Sequence, residues 1–164
     1  ILYCLTKIVP PREVYSSVEW PVIILLASVI PLGAALESNG TTEIIVQILT
    51  KYALSMEPWL IIAIIMIITM TLSDILNNTA TTLVIAPISI QLAQTLNLNT
   101  DTFLMAVAVS ASCAFLTPIG HKNNTIILGP GGYRFGDYWR MGLVLEVLII
   151  ITSIPLLLIF WPIN

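Results

Sequence analysis

A chain of 164 residues that is 57% hydrophobic and only 9% charged, with a mean hydropathy of +0.98, lies far from soluble domains, in which charged residues make up roughly a quarter. A net charge of -3 without a basic patch excludes a nucleic-acid-binding role, and the single histidine excludes a zinc triad built on several histidines. The composition is that of an all-α integral membrane protein.

Ile1 to Leu5 reads as the tail of an apolar segment whose start lies upstream, so the chain is expected to continue a longer protein. Residues 6–19, with Lys7, Pro10, Pro11, Arg12 and Glu13, form a polar connector, and its basic residues place it on the cytoplasmic side. Trp20 to Leu36 is an apolar crossing, stopped by Glu37-Ser38-Asn39-Gly40, with Thr41 and Thr42 as cap candidates for the next helix. Glu43, Gln47 and Lys51 then fall at i, i+4 and i+8 as one polar stripe on an otherwise apolar helix. Such a stripe fits a helix lying in the membrane interface; a short crossing over 41–56 is the alternative.

Pro58-Trp59 opens an oily run that Leu76-Asn77-Asn78-Thr79-Ala80-Thr81-Thr82 interrupts before it resumes at Leu83 and ends in the polar turn 97–101. Irregular backbone at membrane depth is tolerated only inside protein or beside a cavity, so the spacing predicts a re-entrant helical hairpin with Asn77 to Thr79 at its tip. Thr102 to Leu116 reads as a helix rich in Ala and Ser, which lets neighbours approach closely. A second polar break, Thr117-Pro118-Ile119-Gly120-His121-Lys122-Asn123-Asn124-Thr125, makes it a broken transmembrane helix. Gly129-Pro130-Gly131-Gly132 is a turn lacking the Gly-Lys-Ser/Thr of a phosphate loop. Tyr133 to Arg140 is an interfacial, cytoplasmic segment, and Met141 to Trp161 is the last span, with a bend expected at Pro155. Cys4 and Cys113, without a Cys-x-x-Cys spacing, read as plain buried thiols.

A helix interrupted at mid-membrane exposes free N-H groups where the next half begins, and its dipole puts partial positive charge there. The halves following Thr79 and Asn124 supply two such ends, which fit an anion, while the carbonyls closing the preceding halves fit a small cation. Ser73, Asn78 and the carbonyls near Leu76 and Gly120 offer the oxygens that a hard cation such as sodium accepts. Asn and Thr give donors and acceptors without fixed charge, although single such residues also serve only to bond neighbouring helices. A lysine at the helix centre costs about 2.5 to 3.5 kcal/mol on insertion scales, so Lys122 is expected to have a function, a buried partner or a snorkelling path to the interface. Asp74 is a candidate partner for Lys122, a cation-coupling carboxylate or a hairpin-rim residue; His121 either bonds the anion, carries a proton or joins helices.

Asn77-Asn78-Thr79-Ala80-Thr81, the run Ala106 to Phe115, Pro118-Ile119-Gly120-His121 and Gly129-Pro130-Gly131-Gly132-Tyr133-Arg134-Phe135 with Asp137-Tyr138 together resemble the C-terminal half of the divalent anion/sodium symporter family, which includes sodium/sulfate and sodium/dicarboxylate carriers. The resemblance runs from about Trp20 to the end. It implies one inverted-repeat half of a transporter, with a missing N-terminal repeat completing a site for one anion and its sodium ions. By this likeness Asn77, Asn78 and Thr79 occupy a Ser-Asn-Thr signature, Asn77 replacing the usual Ser. Gly120, His121 and Lys122 fall on the substrate-contacting loop, and Ser73, Leu76, Asn78 and Gly120 on a sodium site. Dicarboxylate carriers have Thr-Pro where His121 and Lys122 stand, a departure that leaves room for an inorganic dianion such as sulfate.

The resemblance further implies a homodimer working by an elevator motion. Residues 58–132 are then the moving part, residues 20–56 and 133–164 the scaffold, and residues 1–19 a cytoplasmic connector. With both basic loops inside, the C-terminus lies outside the plasma (inner) membrane. The expected function is secondary active, sodium-coupled uptake of a divalent anion, not enzymatic catalysis. The alternatives are a proton-coupled or other related anion permease and a membrane anion sensor or assembly subunit.

Overall fold

The computed structural model describes residues 38–163 and, before them, Ile23, Ile24, Ala27, Ser28, Pro31 and Ala35, all helical. The connector over 1–19, Cys4 and most of the crossing over 20–36 lie outside the described residues. Among the described residues every regular element is a helix: α1 (Thr41–Ala53), α2 (Pro58–Ile75), α3 (Asn78–Thr95), α4 (Thr100–Ala111), α5 (Lys122–Leu128) and α6 (Phe135–Phe160). Two are long and apolar enough to cross a membrane, Pro58–Ile75 and Phe135–Phe160. At ~1.5 Å per residue their 18 and 26 residues span about 27 and 39 Å, against a hydrocarbon core of ~30 Å.

Several boundaries follow from local chemistry. Gly40 sits at φ 70°, so the chain turns there and α1 begins at Thr41 itself, one residue before Thr42, without a side-chain cap. Pro58 occupies the first turn of α2, where its missing N-H is harmless. α3 ends in a Schellman turn: Asn97 takes φ 55°, its N-H meets Gln94 O at 3.1 Å and the Leu98 N-H meets Ala93 O at 2.9 Å. Asn99 caps α4 by accepting from the Asp101 N-H at 3.0 Å. α6 starts at Phe135, earlier than the span beginning at Met141, because the Asp137 carboxylate accepts from the Arg134 N-H at 2.8 Å. It continues through Pro155 to Phe160.

The core forms where buried faces at helical spacing meet. On α2 the face is Ile62, Met66, Thr69, Met70 and Ser73; on α4 it is Phe103, Ala106, Val107, Ser110 and Ala111; on α3 it is Thr81, Ile85, Ser89 and Leu92. α4 packs against α2, α3 and α6, and α1 packs on α3. Small residues permit this close approach as expected, Ala106, Ser110 and Ala114 being fully buried. Two hydroxyls in this oily core bond to their own helix, Thr69 to Ile65 O at 2.7 Å and Ser110 to Ala106 O at 2.6 Å.

Three contacts fix the directions. Ile61 near the start of α2 and Leu92 near the end of α3 line the same cavity, so α2 and α3 form an antiparallel helical hairpin. Thr102 at the start of α4 donates to Trp161 O beyond α6 at 2.9 Å. At the other end, a Cβ on Gly142 of α6 would collide with the Phe115 carbonyl beyond α4, so α4 and α6 are antiparallel too. The α2–α3 and α4–α5 breaks therefore share one level of the bundle.

Candidate functional site

The first break is only two residues long. α2 ends at Ile75, Leu76 and Asn77 are extended, and the Asn77 side chain accepts from the Ala80 N-H at 2.7 Å. That cap starts α3 at Asn78, so Asn78 and Thr79 lie in its first turn, and the new half-helix begins before Thr79, not after it. The second break is longer. α4 ends at Ala111, five residues short of the expected Leu116, and the chain runs irregularly to His121, whose extended backbone precedes α5 at Lys122. Again the new half begins ahead of Asn124.

Ser73 explains why α4 stops early. Its hydroxyl lies 2.6 Å from Ala111 O and 3.0 Å from Asn78 Oδ1, offering its proton to an orphan carbonyl at the end of α4 and to the first turn of α3. Asn78 Nδ2 in turn lies 3.4 Å from His121 Nδ1. Ser73, Asn78 and His121 thus form one polar chain from the tip of the hairpin to the mouth of α5.

Gly120 belongs to the same junction. A Cβ there would come within 2.7 Å of Ala114 Cβ and 3.2 Å of Asp74 Cα, so only glycine lets the loop press onto α2. Its N-H donates to Thr117 Oγ1 at 3.0 Å, and that hydroxyl donates to Asp74 O at 2.8 Å. Asn124 stitches the loop by donating to Ala114 O at 3.1 Å and Thr117 O at 3.2 Å, and Thr125 donates to Pro118 O at 2.6 Å. Tyr138 on α6 donates to Asn124 O at 2.8 Å.

Of the residues singled out in the sequence, Ser73, Asn78, Gly120 and His121 meet here. Thr79 is half-buried beside them. Asn77, Leu76 and Lys122 are exposed, Asn77 committed to its cap and Lys122 at the first position of α5. Cys113 is a buried free thiol, as expected. Asp74 accepts from the Leu116 N-H at 2.9 Å, and its carboxyl meets Glu146 of α6. Sequence reasoning passed over Glu146, although a lone acid in the apolar run 141–161 is a signal in its own right, because intramembrane carboxyls are costly.

Ser73, Asn78 and His121 bring side-chain donors and acceptors together where the two breaks meet.

The citrate transporter family profile matches residues 1–163. An uncharacterized transporter of Synechocystis is 37% identical over 154 residues, covering 94% of this chain and 25% of the relative. A sodium-dependent dicarboxylate transporter of Staphylococcus saprophyticus is 27% identical, covering 87% of this chain and 27% of the relative. A sodium-dependent high-affinity dicarboxylate transporter of Caenorhabditis elegans is 25% identical, covering 87% and 25%. The chain spans about a quarter of the length of these relatives. With a match along almost its whole length, the chain belongs to the citrate transporter family of membrane proteins, within reach of the divalent anion/sodium symporters that its motifs resemble.

Proposed function

We propose that this chain is part of a secondary active transporter, about a quarter of its length rather than the C-terminal half that the sequence suggests, and that the whole protein takes up a divalent anion, sulfate-like or dicarboxylate, with sodium as the coupling ion. The observation that carries the reading is the meeting of the two breaks through Ser73, Asn78 and His121. An anion held there is bonded by Asn77, Asn78 and Thr79 at the start of α3 and by Gly120, His121 and Lys122 from the loop. Sodium takes oxygens from Ser73, Asn78 and the carbonyls of Leu76 and Gly120. The sodium-dependent names of two relatives support the coupling ion.

In this reading a missing N-terminal repeat of the same protein supplies the other wall of the site. Residues 58–132 move as a body past a static scaffold in a homodimer, carrying the site across the plasma membrane. The packing of α6 on α2 and α4 favours counting α6 with that body rather than with the scaffold. The charge at Lys122 favours a compact dianion, and with the basic segment over 133–140 facing the cytoplasm the C-terminus lies outside.

Uptake of labelled sulfate and labelled succinate by vesicles holding the intact protein, with and without a sodium gradient, tests the reading. Gradient-driven accumulation of one of them supports it. Accumulation driven only by a proton gradient replaces sodium with protons, and none under any gradient favours an anion sensor or assembly subunit.

A further inference from the structure

A groove of about 520 Å³ lies between α6 and the chain that precedes it. Phe115 of the second break and Ile127 of α5 form one wall, and Met141, Val144, Leu145 and Leu148 on one face of α6 form the other. Tyr133, Asp137 and Tyr138 stand at one end. Among the described residues the apolar part opens outward, Met141, Val144 and Leu148 being more than half exposed.

The polar end is built from fixed groups. The Tyr133 ring rests on Gly131, where a Cβ would strike it, and meets the Tyr138 ring edge-on at 6.1 Å between centroids. The Tyr138 hydroxyl is anchored on Asn124 O. The Asp137 carboxylate is engaged by the Arg134 N-H at 2.8 Å. The side chains of Arg134 and Arg140, on either side of Asp137 in sequence, are exposed, so two cations outweigh one committed acid there.

The dimensions are those of one bilayer leaflet. α6 is long and apolar enough to cross a membrane. From Asp137 to Leu148 it rises about 16 Å at ~1.5 Å per residue, close to half of a ~30 Å hydrocarbon core. Tyr133, Tyr138 and Trp139 sit at the basic end, as aromatic residues do at a membrane interface. Basic pockets beside membrane helices take anionic lipid heads, and an apolar trough running from such a pocket to the midplane takes an acyl chain.

We propose that this groove seats one anionic phospholipid, its phosphate facing Arg134 and Arg140 and one acyl chain lying along Met141 to Leu148. The bound lipid bridges α5 and α6 and braces the second break from its lipid side. The site depends on α6 crossing the membrane and not on what the protein transports.

Phosphatidylglycerol and phosphatidylcholine with the same photoactivatable acyl chain, each in vesicles holding the intact protein, test the site, with adducts mapped by peptide mass spectrometry. Adducts are expected on both walls, at Ile127 and over Met141 to Leu148. There phosphatidylglycerol should exceed phosphatidylcholine at least about fivefold, the equivalent of ~1 kcal/mol. At Ile151 and Ile159, exposed farther along α6, the two lipids should label alike. R134Q/R140Q should abolish the excess in the groove. Equal labelling by the two lipids in the wild-type groove, an excess that survives in R134Q/R140Q, or no adducts on the two walls because another segment of the protein covers them would each overturn the proposal. Transport is not measured, so every outcome leaves the anion-uptake reading standing.

Discussion

The Ser73 hydroxyl and Asn78 Oδ1 face each other at 3.0 Å across the two-residue gap between α2 and α3. The same hydroxyl reaches Ala111 O at 2.6 Å, so one serine joins both breaks. A side chain with one proton and two acceptors in reach is well placed to turn its lone pairs to a cation when one arrives.

Ser73→Ala should therefore act on ion binding more than on folding. The lost hydrogen bond costs about 1 kcal/mol of stability. In transport assays, half-saturation for sodium should rise at least about tenfold, equivalent to ~1.4 kcal/mol. Unfolding curves read beside a sodium titration of uptake separate the two effects, and an unchanged sodium requirement would remove Ser73 from the cation site.

Asp74 carries the loop, so truncating it should reach the backbone. In Asp74→Ala the Leu116 N-H, now bonded at 2.9 Å, loses its acceptor. Leaving a buried donor unmet costs about 1 to 3 kcal/mol. Asp74→Asn keeps a carbonyl oxygen and should recover most of that loss; thermal unfolding of both variants in detergent checks the order.

Gly142→Leu should separate α6 from the break. Even a Cβ at Gly142 would collide with the Phe115 carbonyl, and Leu116 N would lie 3.0 Å away. Overpacking of this kind costs about 1 to 3 kcal/mol. Increased hydrogen exchange at residues 112–121, beyond that in Val144→Leu on the exposed face of the same helix, is the expected signature.

Lys122→Gln should alter choice among anions without unfolding the protein, since Lys122 is exposed at the first position of α5. The ratio of sulfate to succinate uptake should fall at least about threefold, roughly 0.7 kcal/mol. An unchanged ratio would exclude Lys122 from substrate selection.

The two breaks were legible in the sequence because Asn, Thr, Gly and Pro clusters stand out against an oily background where unsatisfied backbone is costly. The grouping of Ser73, Asn78 and Gly120 was legible from the oxygens that the two breaks offer and again from the family resemblance, although 42 and 47 positions separate Gly120 from Asn78 and Ser73. The early end of α4 was not legible. Ser112, Cys113 and Ala114 are acceptable in a helix, and what stops it is a tertiary bond from Ser73 to Ala111. Glu146 was missed for a similar reason: its spacing within α6 says nothing about the Asp74 that it meets from another helix.

In the proposed transporter, the two breaks converge at Asn78 to form the site for the anion and its coupling ion. Its most direct test is sodium-driven anion uptake by the intact protein against Asn78→Ala at matched reconstitution. Wild type is expected to accumulate the anion and the variant to lose at least about tenfold of that uptake, with a raised sodium requirement. Accumulation by Asn78→Ala at the wild-type rate and sodium dependence would contradict it.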